Sequence, residues 1–156
     1  MLNDGKEWYQ RLPEFLLEAE TLLAKSEECL SHLQLIKNDK DAIDCMLSTL
    51  LKLANKADVL AIQAVSEFSR HIHSLLSLAQ NHMDLHDQAL DALKDCLTLM
   101  AWQLELIDIN TGKLCLDDSE QVSLINAFAF QVGQSHSRAL YNPKPFTLVS
   151  LADNQV

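Results

Sequence analysis

From Pro13 onward the apolar residues return every third or fourth position. Phe15, Ala19, Leu22, Ser26, Cys29, Leu33 and Ile36 form a first stripe with one clearly polar member, Ser26, which is the spacing of one face of an α-helix. Pro13 suits the first turn of that helix, where a missing N–H costs nothing. Glu14, Glu18 and Glu20 set negative charge at the positive end of its dipole. Residues 37–41 are a polar connector in which Asp39 or Asp41 can cap the next helix. A second stripe follows in Ile43, Met46, Leu47, Leu50, Leu53, Ala54 and Ala57, with a break expected between Asp58 and Gln63. A third helix carries Val65, Phe68, Ile72, Leu75, Leu76 and Ala79, and residues 81–84 turn the chain. The fourth stripe is Leu90, Leu93, Leu97, Met100, Leu104 and Ile107, ended by Asn110-Thr111-Gly112, where glycine is available for positive φ. Asp117 or Asp118 can cap a shorter fifth helix bearing Val122, Ile125, Phe128 and Ala129 and closed by Gly133.

Only three Gly and three Pro occur, and none lies between Glu14 and Thr111. So long a run without either breaker disfavours a sheet protein, whose turns depend on them. The expected fold is all-α: an antiparallel four-helix bundle, a shorter fifth helix and an irregular C-terminal tail. The 156 residues make one domain large enough to close a core. The helical domain is assigned to 1–133. The tail is 134–156, with Pro143, Pro145 and Phe146 and apolar residues able to dock on the bundle.

Charge narrows the choice of partner. Twelve Lys and Arg against twenty-two Asp and Glu give −10, a surface that repels phosphate backbones and anionic lipid. No nucleic-acid or membrane role is expected. Cys96 to Leu104, the most apolar long stretch, is too short to span a bilayer. The first seven residues contain no apolar signal core, so a cytoplasmic location is expected. Cys29, Cys45, Cys96 and Cys115 lack C-x-x-C spacing and read as small core residues under reducing conditions.

Two segments resemble a known family. Residues 15–23, Phe-Leu-Leu-Glu-Ala-Glu-Thr-Leu-Leu, look like the opening helix of histidine-containing phosphotransfer (Hpt) domains of the chemotaxis-kinase type. Residues 64–76, Ala-Val-Ser-Glu-Phe-Ser-Arg-His-Ile-His-Ser-Leu-Leu, are similar to that family's third helix. The resemblance covers roughly Pro13 to Val132 and includes a fifth helix. The family's signature is H-x-x-K-G on the second helix: an exposed histidine takes the phosphoryl group, the lysine steadies it, and the glycine admits a receiver domain. Registering the third helices on one another places Leu51 at the histidine, Ala54 at the lysine and Asn55 at the glycine. Leucine has no nucleophilic nitrogen and alanine no charge to offset phosphate, so this register excludes phosphotransfer. Leu51 also suits an ordinary boundary leucine at the edge of the second stripe.

Other constellations carry less. His71 and His73 point to nearly opposite sides of a helix, and neither is followed by lysine three residues on; His32 and His136 lack that context too. His73 falls where the family has glutamate. His82 and His86 have i, i+4 spacing beside Asp84 and Asp87, but an intervening turn breaks the shared face, so no metal site is assigned. Asp87, Asp91 and Asp95 read as a solvated edge, and Trp8, Tyr9 and Trp102 as packing residues. Without a phosphate loop, a nucleophile elbow or H-E-x-x-H, no enzyme is expected, and no cofactor.

The resemblance implies a signalling adaptor of a two-component phosphorelay that accepts no phosphate. Its partner is a response-regulator receiver domain or histidine kinase, bound through Leu51, Lys52, Asn55, Lys56 and Glu67. The competing expectation is a structural or self-associating helical bundle unrelated to phosphorelays.

Overall fold

Each connector carries the chemistry that stops one helix and starts the next. The computed structural model describes residues 2–82, 85–111, 113–114 and 117–141, and side chains within 10–80, 85–111, 113–114 and 117–133. Among the described residues five helices follow in order: α1 Leu2–Leu35, α2 Lys40–Val59, α3 Gln63–His82, α4 Asp87–Leu106 and α5 Ser119–Tyr141. No strand occurs among the described residues; one isolated antiparallel bridge joins Ile107 to Leu114 between α4 and α5. No described helix is long and apolar enough to cross a membrane.

Asp39 is the cap of α2, its carboxylate accepting from the N–H groups of Asp41 (3.1 Å) and Ala42 (3.4 Å). The break expected after Asp58 is a tight αα-turn. Ile62 N–H donates to Ala57 C=O and Ala61 N–H to Asp58 C=O, the Schellman pattern, with Ala61 at the left-handed position usually held by glycine (φ 59°). His86 caps α4 through Nδ1, which accepts from Ala89 N–H at 3.3 Å. Before α5, Asp117 Oδ1 accepts from the N–H and hydroxyl of Ser119, while Asp118 C=O takes the first helical bond, from Val122 N–H.

α2 packs against α1 and α3, α4 against α1 and α5, and α5 against α3; α3 and α4 meet only narrowly. One continuous core joins all five helices, from Leu12 and Phe15 through Met46, Leu50, Phe68 and Leu97 to Phe128 and Val132. The second, third and fourth stripes lie on this core as expected. α4 is covered more widely than its stripe alone, with Ala89, Ala92, Cys96, Leu99 and Gln103 also buried, because it has helices on three sides.

Several expectations are corrected. α1 starts at Leu2 and encloses Pro13. The proline offers no N–H to the Tyr9 carbonyl, but the helix continues through it, with Leu12 and Phe15 on either side buried in the core. Ile36 lies beyond the end of α1 and is exposed. α4 stops at Leu106, ahead of Asn110-Thr111-Gly112, because Ile107 turns extended and enters its bridge; Gly112 lies outside the described residues. α5 has 23 residues against 20 each for α2, α3 and α4, so the fifth helix is not the shorter one. It passes through Gly133, and the irregular tail assigned from 134 begins no earlier than 142, outside the described residues. Glycine weakens a helix without forbidding it. The buried face of α5 is Gln121, Phe128 and Val132, flanked by Leu124 and Ile125, whereas Val122 is 47% exposed. Trp102, expected to pack, is 62% exposed.

Candidate functional site

The residues assigned to partner binding divide into two groups. Leu51, in the middle of α2, is 40% exposed, while Leu50 and Leu53 beside it are buried. Its neighbour Lys52 is exposed, as is Glu67 on α3, and neither forms an ion pair among the described residues. These three side chains are available on the outer face of α2 and α3.

Asn55 and Lys56 are engaged. Asn55 Oδ1 accepts a hydrogen bond from Arg70 Nη2 on α3 at 3.0 Å. The same guanidinium donates to Asp58 Oδ2, and the Ser66 hydroxyl donates to Asp58 Oδ1. The hydrogen bond from Ser66, and then that from Arg70, hold the Asp58 carboxyl below its ordinary value. Four polar residues therefore fasten α3 to the last turns of α2. Lys56 points away from this surface, toward α1, pairing with Glu18 at 3.3 Å. It lines a cleft of about 140 Å³ with Arg11, Glu14, Phe15 and Val59.

Ala54, placed by the resemblance at the family's lysine, is 0% exposed. Positions 51 and 54 thus differ in access: the first faces water and the second faces the core. A lysine at 54 would have to thread past packed helices to reach a phosphoryl group at 51.

The remaining polar candidates are spread around the molecule. His71 is exposed and His73 half-buried on α3, and His32 is on the far end of α1. His86 is occupied as a helix cap. With Nδ1 accepting, its Nε2–H faces the Gln131 carbonyl of α5 at 3.4 Å, which ties α4 to α5. The side chains of His82, Asp84, His136, Trp8 and Tyr9, and the whole of Cys115, lie outside those described. Asp87, Asp91 and Asp95 are exposed, and Asp87 pairs with Lys37 at 3.1 Å. Among the described residues no group of three or more His, Cys, Asp or Glu side chains could hold a metal ion.

Two pairings of side chains had no reading in the sequence. Gln103 Nε2 donates to Gln121 Oε1 at 2.8 Å between α4 and α5. Cys29 on α1 and Cys45 on α2 line one cleft. The Arg70 network and both of these pairs join residues far apart in the chain, so no local spacing announces them. For the cysteines one signal existed: both stand nearly equidistant from the 36–39 connector.

No family model matches the chain, and no curated protein or solved structure does either.

Proposed function

We propose that this chain is a degenerate Hpt-like adaptor of a two-component phosphorelay, built as an antiparallel four-helix bundle of α1–α4 with α5 laid against α3 and α4. It binds a receiver domain or histidine-kinase component and accepts no phosphate. The observation that carries this reading is the exposed Leu51 at mid-α2, the position that the resemblance gives to the family's histidine, next to exposed Lys52. An accessible leucine flanked by a cation suits contact with a partner surface of mixed apolar and acidic character. Arg70, Asn55, Asp58 and Ser66 keep α2 and α3 in fixed relation, which gives a docking face a defined shape without an ordering cost on binding.

The experiment is titration of the chain with purified receiver domains, phosphorylated and not. Expected are saturable binding, at least tenfold weakening by Leu51→Glu in a variant that folds normally, and no acid-labile phosphate on the chain. Phosphate transferred to it, or binding indifferent to Leu51→Glu, rejects the proposal.

A second reading rests on its own observation. Trp102 and Leu106 are exposed one turn apart on α4, with Ile109 exposed just beyond, a larger apolar display than Leu51 alone. This favours a self-associating helical protein, which sedimentation over a range of concentrations detects as a growing mass.

A further inference from the structure

Cys29 lies on the penultimate turn of α1 and Cys45 on the second turn of α2. In a pair of packed helices joined by residues 36–39, positions so nearly equidistant from the connector come level with one another. α1 and α2 pack along one another, and the two residues are close enough that Cys45 helps to raise the Cys29 thiol. Both residues line one cleft of about 280 Å³, together with Lys25, Glu28, His32 and Asp41. Access to it is unequal, for Cys29 is 4% exposed whereas Cys45 is half-buried. Neither is in a disulfide.

We propose that Cys29 and Cys45 are a redox-active pair that closes to a disulfide on reaction with a hydroperoxide, Cys45 meeting the oxidant and Cys29 resolving the product. Cys45, as thiolate, attacks one oxygen of hydrogen peroxide. The O–O bond breaks, leaving a sulfenic acid on Cys45, and the displaced hydroxide takes a proton from solvent to become water. The Cys29 sulfur then attacks the Cys45 sulfur. The S–O bond breaks, and hydroxide leaves as water with the proton of the Cys29 thiol. Two thiols and one peroxide become one disulfide and two waters; the sulfurs lose two electrons and the peroxide gains them. The order of attack follows from access. Burial, and then the neighbouring Cys45, push the Cys29 thiol up to about 12, which makes it a poor first nucleophile toward peroxide. Cys96 supplies an internal contrast. It is also buried and pushed up to about 12, but its thiol donates to the Leu124 carbonyl at 3.6 Å and no second described cysteine adjoins it.

The test uses the full chain, reduced, exposed to hydrogen peroxide, alkylated and mapped by peptide mass spectrometry. Expected is a Cys29–Cys45 linked peptide pair reversed by dithiothreitol, with Cys96 alkylated as before. The linked monomer should melt higher by roughly 5–10 °C, because the bond closes the loop 30–44 in the unfolded chain. Cys29→Ser should leave a sulfenic acid on Cys45 that dimedone traps. Cys45→Ser should leave Cys29 unmodified. Wild-type chain that ends with Cys45 over-oxidised and Cys29 free, with links only between chains, or with both thiols unchanged overturns the proposal. None of these outcomes depends on whether a receiver domain binds.

Discussion

At Ala61 the backbone takes a φ of 59°, a conformation in which Cβ crowds the following carbonyl. Glycine has no such conflict, and the Schellman hydrogen bonds around this residue use backbone atoms alone. Ala61→Gly is therefore expected to stabilise the chain by about 0.5–1 kcal/mol, the relief of strain exceeding the added freedom of the unfolded glycine; urea denaturation measures it. Positions 51 and 54 give an opposed pair. Leu51→His places an imidazole where the side chain already meets water and should change stability by less than about 0.5 kcal/mol. Ala54→Lys sets an ammonium group at a site with no exposure and should cost about 3 kcal/mol or more. Introducing an H-x-x-K pattern at 51–54 would thus damage the fold, and paired melting curves of the two single variants show whether it does.

Between α2 and α3, the carboxylate of Asp58 accepts from both Ser66 and Arg70. Its pKa is lowered in the folded chain from an ordinary 3.8, so these bonds favour the folded state when the group is ionised. Their contribution is complete above the unfolded value and is lost as pH falls through the folded one. The stability difference between wild type and Asp58→Asn should accordingly be largest near neutral pH and shrink below about pH 4. Denaturation of both proteins at pH 7 and pH 3 checks the sign, and a difference that grows on acidification contradicts it. Asp117 is lowered in the same sense by Ser119 at the start of α5, so the approach to α5 loosens over the same interval.

In the whole molecule, α5 is bound to the rest by Phe128 and Val132 in the shared core, by the Gln103–Gln121 amide pair and by His86 facing Gln131. Phe128→Ala should cost about 3–5 kcal/mol. Because one core cluster runs through all five helices, the loss should move a single cooperative transition rather than detach α5 alone; circular dichroism and tryptophan fluorescence followed together in denaturant test this.

Five helices, and most of the buried faces of α2, α3 and α4, were legible in the chain because the signal is local. Burial on one side of a helix imposes a spacing of three and four on neighbouring residues, and Leu90, Leu93, Leu97, Met100 and Leu104 obey it down to their near-complete burial. Asp39 was legible as a cap for a like reason, since it bonds N–H groups two and three residues ahead. Helix ends were less so: Pro13 and Gly133 read as boundaries, yet α1 and α5 run straight through them. Only the tertiary structure decided the rest. Arg70 reaching Asn55 and Asp58, Lys56 turning toward Glu18, Cys29 and Cys45 sharing a cleft, and α5 lying along α3 and α4 all bring together residues that the chain separates. A spacing pattern states which side of a helix avoids water, but the identity of what covers that side is set by how all five helices share one core.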